Sequence, residues 1–329
     1  MQRIHTIAIF PKIQPDTVCA IFLLQRFGEA QFPGVREAKV EFWTDLPAGK
    51  SAAELERDGY LLIDLGGGRF DHHATEHGKN KVHCASSLVA AALGVSDKPA
   101  LAKLLAYAKR DDLHGKGTIS SDPLDRAFGL SGLLSAMNRV SGDKPQRMVD
   151  IVLELFDAHY REEEKRTESM PQEWRELKNS GNAHEFVALQ ARQALRCVLV
   201  ASDNVSLPGF LRAYVRTDIV VQRRSSGHAN IITRQARRID LRDVAARLRM
   251  EEAARKGVDL SGLPWSELQK PGRIAGAEEW FYDIMANTIQ NGGIRPEGIT
   301  PTRLSDAEIR KILEEELPRG GETLLSAES

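Results

Sequence analysis

The chain has 329 residues, of which 42% are hydrophobic and 28% are charged, and this composition excludes an intrinsically disordered protein. Its 45 Lys and Arg residues nearly balance its 46 Asp and Glu residues, so the overall charge gives no general attraction to nucleic acid or anionic lipid. A local basic face is still compatible with this balanced charge. Three widely spaced cysteines argue against a disulfide framework, and no apolar run approaches the ~18 residues of a membrane span.

The first 115 residues alternate strand patterns with helix patterns. Strand-like apolar runs occupy 4–10, 38–44 and 59–65, and helical spacing occupies 17–28, about 85–94 and 99–112. This alternation favours an α/β fold with a parallel sheet, in which functional groups collect beyond the carboxyl ends of the strands. Asp16 follows the first strand and Asp64 ends the third, so we expect both at this edge of the sheet.

The second half predicts a helical segment followed by a mixed domain. Helical patterns fill 123–178, and the polar end of this segment is typical of a solvated helix. Strand-like runs follow at 185–189, 196–202, 210–222 and 229–235, helical patterns at 241–256 and 277–290, and a charged helix with a frayed tail from about 303.

The segment 61–73 carries the clearest chemical signal. Its sequence is Leu-Leu-Ile-Asp-Leu-Gly-Gly-Gly-Arg-Phe-Asp-His-His, in which a buried strand leads Asp64 into a triple-glycine turn and Asp71, His72 and His73 follow. In an extended segment, successive side chains point to opposite sides, so one imidazole can face a metal while the other faces a phosphate. Carboxylate with imidazole suits Mn²⁺, Mg²⁺ or Zn²⁺. A polar turn after a glycine loop is the alternative.

These residues resemble the signature of the DHH phosphoesterase superfamily, and the resemblance is strongest to its MYG-type exonuclease branch. The segment His83-Cys-Ala-Ser-Ser-Leu-Val also looks like the helix start that follows the signature. The resemblance implies two Mn²⁺ or Mg²⁺ ions between two domains. It also implies a parallel-sheet DHH-type catalytic domain, a helical connector, a smaller α+β substrate-binding C-terminal domain and a terminal helix with a frayed tail, which we place at 1–122, 123–180, 181–300 and 301–329.

The resemblance also implies roles for individual residues. Asp16 matches a metal ligand, Asp64 the carboxylate that bridges both metals, His72 a ligand and His73 a phosphate contact. The fourth motif supplies one more ligand after a helix. Asp111 and Asp112 are both candidates for it, and the choice between them stays open, with His114 as a further candidate member of the site.

Two positions depart from the first motif of the superfamily, because Lys12 replaces a histidine and Val18 replaces an aspartate. Lysine is protonated at neutral pH and only donates hydrogen bonds, so it is no metal ligand. We therefore expect one or two ions, with Lys12 and His73 as the catalytic residues that offset phosphate charge. A solvated loop lysine is the alternative for Lys12.

An arginine-rich stretch marks the second half of the chain. Residues 216–249 contain nine arginines, no lysine and three acidic residues, and arginine suits phosphate contacts. Within it, Arg223-Arg224-Ser-Ser-Gly227-His228 partly resembles a Gly-Gly-His element of the superfamily's C-terminal domain. The resemblance implies substrate binding by these four numbered residues, and a hairpin turn is the alternative.

Together, these patterns predict a cytoplasmic, manganese-dependent or magnesium-dependent phosphodiesterase or exonuclease. The expected partner is a nucleotide or a short nucleic acid, no membrane partner is expected, and a homodimer is a candidate assembly. The alternative is a catalytically reduced DHH-type protein that binds a nucleotide or nucleic acid as a sensor or regulator. The changes at Lys12 and Val18 favour this alternative, and the intact Asp64, His72 and His73 favour the enzyme. A pyrophosphatase-like enzyme is a third hypothesis, which the incomplete metal set disfavours.

Overall fold

The computed structural model describes residues 3–73, 82–115, 117–292 and 298–327. The chain divides into two compact units, Met1–Glu168 and Ser169–Ser329, and the division falls within the predicted connector. The first unit contains a parallel sheet and the second a larger mixed sheet, each accompanied by helices. The α/β class predicted from the sequence is therefore confirmed.

The sheet of the first unit has three parallel strands. They are β1 (Thr6–Ile9), β2 (Lys39–Phe42) and β3 (Tyr60–Leu62), in the order β2-β1-β3. Thr6 pairs with Lys39 on one side and with Tyr60 on the other. All four residues of β1 are buried, as expected for a central parallel strand with helices on both faces.

Seven α-helices complete the described part of the first unit. They are α1 (Pro15–Phe27), α2 (Ala52–Arg57), α3 (Ala85–Ala92), α4 (Ala102–His114), α5 (Pro123–Phe128), α6 (Leu130–Val140) and α7 (Pro145–Glu164). Proline opens α1, where its missing N–H costs no hydrogen bond. The first ten residues of α1 are all buried, and those from Val18 to Leu24 join the sheet, α3, α4 and α7 in one hydrophobic core. The start of α1 is thereby fixed next to the end of β1.

Among the residues that the structure describes, the second unit contains six strands. They are β4 (Ala183–Gln190), β5 (Gln193–Ala201), β6 (Ile219–Arg223), β7 (Ala229–Thr233), β8 (Trp280–Asp283) and β9 (Thr288–Asn291), in the order β4-β5-β6-β7-β9-β8. The β5–β6 pair is parallel, and the other four pairs are antiparallel.

Five α-helices accompany this sheet. They are α8 (Met170–Asn179), α9 (Leu207–Phe210), α10 (Arg242–Lys256), α11 (Trp265–Leu268) and α12 (Asp306–Ala327). One hydrophobic cluster packs one set of strand side chains against α10 and α12, and another packs the alternate set against α8 and α9. None of the helices described in either unit is long and apolar enough to cross a membrane.

Two predicted elements of the second unit are wrong. The helix predicted over 277–290 is the β8–β9 hairpin, in which Asn287 has a left-handed backbone (φ 51°) and β9 pairs with β7. The strand predicted over 210–222 forms only from Ile219. The preceding residues form α9 and a π-helical turn (Leu211–Val215), which ends at Arg216 with a left-handed backbone (φ 60°).

Candidate metal centre

The glycine turn after β3 folds the Asp-His-His segment back beside the strand. Ile63 forms a parallel bridge with Phe70, and the Asp64 N–H donates to the Phe70 carbonyl over 3.1 Å. Asp64 has a left-handed backbone (φ 55°), which is rare for a residue with a side chain and is often associated with functional sites. The turn therefore places the Asp64 carboxylate close to the two histidines that follow it.

Asp71 stabilises this turn. Its carboxylate accepts hydrogen bonds from the N–H of Gly67 (2.7 Å) and the N–H of His73 (2.8 Å), and the residue is buried. Gly67 has a left-handed backbone (φ 70°), a conformation that glycine adopts without strain. Asp71 therefore fixes the backbone that carries the histidines.

His72 lies between two carboxylates. Its Nδ1 is 2.9 Å from Asp64 Oδ1 and its Nε2 is 3.3 Å from Asp112 Oδ2, with 10% of the side chain exposed. The contact with Asp64 raises the pKa of His72 to about 9, against the opposite effect of burial. In the absence of a cation, the imidazole is therefore protonated at neutral pH.

His73 differs from His72 in its exposure. Its ring contacts that of His72 at a tilt of 39°, with 3.9 Å between centroids, and its Nε2 is 3.6 Å from Asp64 Oδ1. The side chain is 71% exposed, so a ligand that approaches from solvent can contact it. This position is compatible with the phosphate contact predicted from the sequence.

Asp16 lies in the first turn of α1 and accepts hydrogen bonds from the start of α3. Its two carboxylate oxygens accept from the N–H of Ala85 (2.8 Å) and the N–H of Ser86 (3.0 Å), and the Ser86 hydroxyl also donates to it. Burial raises the pKa of Asp16. The sequence placed Asp16 in a loop and did not predict this contact, which satisfies two N–H groups that a helix start leaves free.

The structure separates the two candidates at the end of α4. Asp112 faces His72, and its burial raises its pKa to about 6. The Asp111 carboxylate lies beside Gly117, because a Cβ atom placed on this glycine would be only 2.8 Å from Asp111 Oδ1. Asp112, and not Asp111, therefore lies beside the histidine pair.

Within the part of the chain that the structure describes, two sets of residues could hold a metal ion. One is Asp64, His72 and His73, and the other is Asp16, His72 and Asp112; the ligand atoms of each set lie within 4.8 Å of one another. His72 belongs to both sets. His114, the further candidate, belongs to neither.

The donor atoms fit a divalent cation. Asp64 Oδ1, His72 Nδ1 and Asp112 Oδ2 are buried and have no hydrogen-bond partner of regular geometry, although two of them lie only 2.9 Å apart. Buried polar atoms are normally satisfied, so such a group calls for an explanation. Oxygen and imidazole donors that converge in this way suit Mn²⁺, Mg²⁺ or Zn²⁺.

Lys12 and Val18 have different environments. Lys12 is exposed and lines a cavity of about 250 Å³ that Asp16 and Asp112 also line. Val18 is fully buried in the core of the first unit. Lys12 is therefore available to a ligand near the acidic residues, whereas Val18 is a packing residue.

Asn138 on α6 also lines this cavity, and the sequence analysis did not select it. Its amide accepts from the Ile13 N–H (3.0 Å) and donates to the Ile13 carbonyl (2.8 Å). These two bonds hold the segment between Lys12 and Asp16 against α6. A polar side chain on an amphipathic helical pattern is a weak sequence signal, which does not distinguish Asn138 from Ser131 or Ser135 of the same helix.

In the second unit, the predicted substrate-binding residues make structural contacts. The Arg223 guanidinium donates to Asp306 and to the carbonyls of Gly227 and Leu304. His228 is buried, with Nδ1 3.0 Å from Ser226 Oγ and Nε2 3.0 Å from the Ile299 carbonyl oxygen.

Gly227 has a left-handed backbone (φ 84°) in the turn between β6 and β7. The Arg224 N–H closes this turn by donating to the His228 carbonyl over 2.9 Å. The segment 223–228 is thus a hairpin turn, the alternative that the sequence left open. Its role in substrate binding stays a prediction.

Comparison with known proteins adds one distant likeness. No family model and no curated protein matches the chain. A solved structure of an uncharacterized protein from Helicobacter pylori G27 is 11% identical, with alignment over 96% of this chain and 99% of that chain and a TM-score of 0.25. This likeness is too weak to support an inference about fold or function.

Proposed function

We propose that this chain is a metal-dependent phosphoesterase with a DHH-type catalytic domain. Its substrate would be nucleotide-derived, a short oligonucleotide or a nucleic-acid end, cleaved at a phosphodiester bond. The observation that carries the proposal is that acidic and imidazole groups surround His72 in two candidate metal sets, which include three buried atoms without a hydrogen bond of regular geometry: Asp64 Oδ1, His72 Nδ1 and Asp112 Oδ2. The similarity of 61–73 to the superfamily signature supports the same conclusion.

In this proposal, one or two divalent ions, Mn²⁺ or Mg²⁺, would be held by residues of the two candidate sets, Asp64 with His72 in one and Asp16 with His72 and Asp112 in the other. Such an ion, when bound, lowers the pKa of a water molecule and polarises a phosphoryl oxygen. His72 loses its proton when it becomes a ligand, because imidazole binds metal in its neutral form. Asp16 keeps its hydrogen bonds to α3 and contributes a remaining lone pair.

The two exposed basic side chains act on the substrate. His73 is close to Asp64 and open to solvent, so it contacts the phosphate and orients it. Lys12 lies at the wall of the cavity beside Asp16 and Asp112, where its ammonium offsets negative charge that develops on the phosphoryl group. Both side chains are thus exposed near the acidic residues of the centre, where a bound phosphate can contact them.

Hydrolysis of bis-p-nitrophenyl phosphate and of a short oligonucleotide in the presence of Mn²⁺ tests the proposal. We expect turnover that Asp64→Ala and His72→Ala each reduce by more than about a hundredfold, because each variant removes a ligand. Asp97→Asn, at an exposed residue of the first unit, is the matched control and retains activity. Asp16→Ala is a poorer test, since it also removes the contact at the start of α3.

The second candidate is a nucleotide-binding sensor without turnover. Lys12 and Val18 favour this candidate, because they stand where the superfamily has two metal ligands and neither side chain can bind a metal. Val18 is buried in the core and Lys12 is exposed. Nucleotide binding without hydrolysis, at Mn²⁺ concentrations that saturate the protein, would leave this candidate and reject the enzyme.

A further inference from the structure

A second polar cavity, of about 230 Å³, adjoins the one beside the candidate metal centre. The two share Gly115, Ser131 and Ser135, so both lie against the same side of α6. The second cavity adds the side chains of Tyr107, Thr118 and Arg126. Together the two cavities provide hydroxyl groups and one guanidinium within reach of the acidic residues at the end of α4.

Asp111 lines the first cavity but belongs to neither candidate metal set. Its Oδ1 is buried and has no hydrogen-bond partner among the described residues, whereas the neighbouring Tyr107 hydroxyl lies close to the Ser131 backbone. Both atoms lie beside Gly117, since a Cβ on this glycine would be 2.8 Å from Asp111 Oδ1 and 2.9 Å from Tyr107 Oη. A buried, unsatisfied carboxylate oxygen next to a cavity calls for a hydrogen-bond donor, and none of the described residues supplies one to Asp111 Oδ1.

The chemistry of these atoms selects the partner. A carboxylate only accepts hydrogen bonds, so Asp111 requires a donor and disfavours a second phosphate at this point. Hydroxyl groups of Tyr107, Ser131 and Ser135 can both donate and accept. A sugar with adjacent hydroxyl groups matches this mixture, and carboxylates recognise ribose hydroxyls in the same way in dinucleotide-binding folds.

We propose that Asp111 accepts a hydrogen bond from a ribose hydroxyl of the substrate and selects ribonucleotides over deoxyribonucleotides. This inference rests on the proposed function, because it assumes that the phosphate occupies the neighbouring metal centre. Asp111 and Asp112 are adjacent on α4 and line the same cavity, so one carboxylate serves the metal and the other serves the sugar.

The experiment compares binding of three probes at saturating Mn²⁺: adenosine monophosphate and its 2′-deoxy and 3′-deoxy analogues. We expect the wild-type protein to bind the ribonucleotide about tenfold more tightly than at least one deoxy analogue, because a hydrogen bond to a charged group is lost. In Asp111→Ala this ratio falls to about one, and in the isosteric Asp111→Asn it falls partway. Both variants bind as many Mn²⁺ ions as the wild type, which shows that they are folded. Asp97→Asn is the control and keeps the wild-type ratio.

Equal binding of the three probes by the wild-type protein would overturn the inference, as would a ratio that persists in Asp111→Ala. A loss of Mn²⁺ binding in both Asp111 variants would also overturn it, because Asp111 would then be a ligand. Hydrolysis of bis-p-nitrophenyl phosphate, which contains no sugar, tests the proposed function separately. Turnover of that compound without discrimination between the nucleotides would reject the role of Asp111 and keep the phosphoesterase.

Discussion

His72 has both ring nitrogens close to carboxylates, and this arrangement couples proton binding to metal binding. Without a metal, a proton on His72 offsets the negative charge of Asp64 and Asp112, which explains its raised pKa. A divalent cation can supply the same positive charge only after this proton leaves. The proton and the metal ion therefore compete for the imidazole of His72.

We predict that Mn²⁺ affinity increases as the pH rises towards 9. Below the His72 pKa of about 9, each rise of one pH unit increases the fraction of neutral imidazole about tenfold. The apparent Kd for Mn²⁺ therefore falls about a hundredfold between pH 6 and pH 8. Isothermal titration calorimetry over this range measures it, and titrations in buffers of different ionisation enthalpy measure the released proton. A flat pH profile with no proton release would contradict the assignment of His72 as a ligand.

Some residues of the candidate metal centre can be identified from the sequence and others cannot. Asp64, His72 and His73 lie within ten residues of one another, so a local pattern suffices to find them. The contact of Asp16 with the start of α3 joins positions 69 residues apart, and the Asn138 bond to Ile13 joins positions 125 apart. Such contacts depend on how helices pack, which a local pattern does not contain.

Arg223 provides a prediction in the second unit. Its guanidinium contacts Asp306, Gly227 and Leu304, so we expect Arg223→Ala to lower the free energy of unfolding by about 2 kcal/mol. Urea denaturation followed by circular dichroism measures this change. Arg175→Ala, at an exposed position of α8, is the control and should change stability by less than about 0.5 kcal/mol. Equal stability of the Arg223 variant and the wild type would show that the hairpin does not depend on this side chain.

At the scale of elements, α1 connects the candidate centre to the core. Asp16 in its first turn points to α3, and two residues later Val18 is fully buried in the core. Positions two apart on a helix do not share a face. The same helix therefore supplies one acidic residue to the centre and packs its remaining faces against neighbouring elements.

We predict that Val18→Asp destabilises the first unit by more than about 3 kcal/mol, since it buries a carboxylate without a partner. Thermal denaturation measures this loss. The same substitution at Val140, which is 84% exposed near the end of α6, is the matched control and should have little effect. If Val18→Asp is as stable as the wild type and gains a metal ion, position 18 is part of the centre.

The elements predicted from sequence are correct where one pattern dominates. In the first unit, every predicted strand and helix has an observed counterpart, with shorter strands than predicted. The error at 210–222 arose because a continuous apolar run does not distinguish a buried helix from a strand. At 277–290, apolar spacing suggested a helix, but pairing with β7 and the left-handed Asn287 produce a hairpin.

At the scale of the whole molecule, the candidate ligands are confined to the first unit. All members of both candidate metal sets lie between Asp16 and Asp112, within Met1–Glu168. The second unit has its own sheet and its own hydrophobic clusters. Metal binding should therefore stabilise the two units unequally.

We predict that Mn²⁺ slows amide hydrogen exchange in α1, α3 and α4, because ligands or their supports lie on these helices. Exchange in α10 of the second unit should change much less. Mass spectrometry of peptic peptides from the full chain measures both regions with and without Mn²⁺, and Ca²⁺ serves as a comparison ion. Uniform protection of both units, or protection of the second unit alone, would place the ion elsewhere.

We infer that Asp64, His72 and Asp112 are ligands at a centre that binds divalent cations. Electron paramagnetic resonance of Mn²⁺ titrated into the full chain at pH 8 counts free and bound ions separately. We expect one or two bound ions in the wild type and a loss of binding in Asp64→Ala and His72→Gln, with retention in Asp97→Asn. A wild-type protein that leaves all Mn²⁺ free, or variants that bind as much as the wild type, would contradict it.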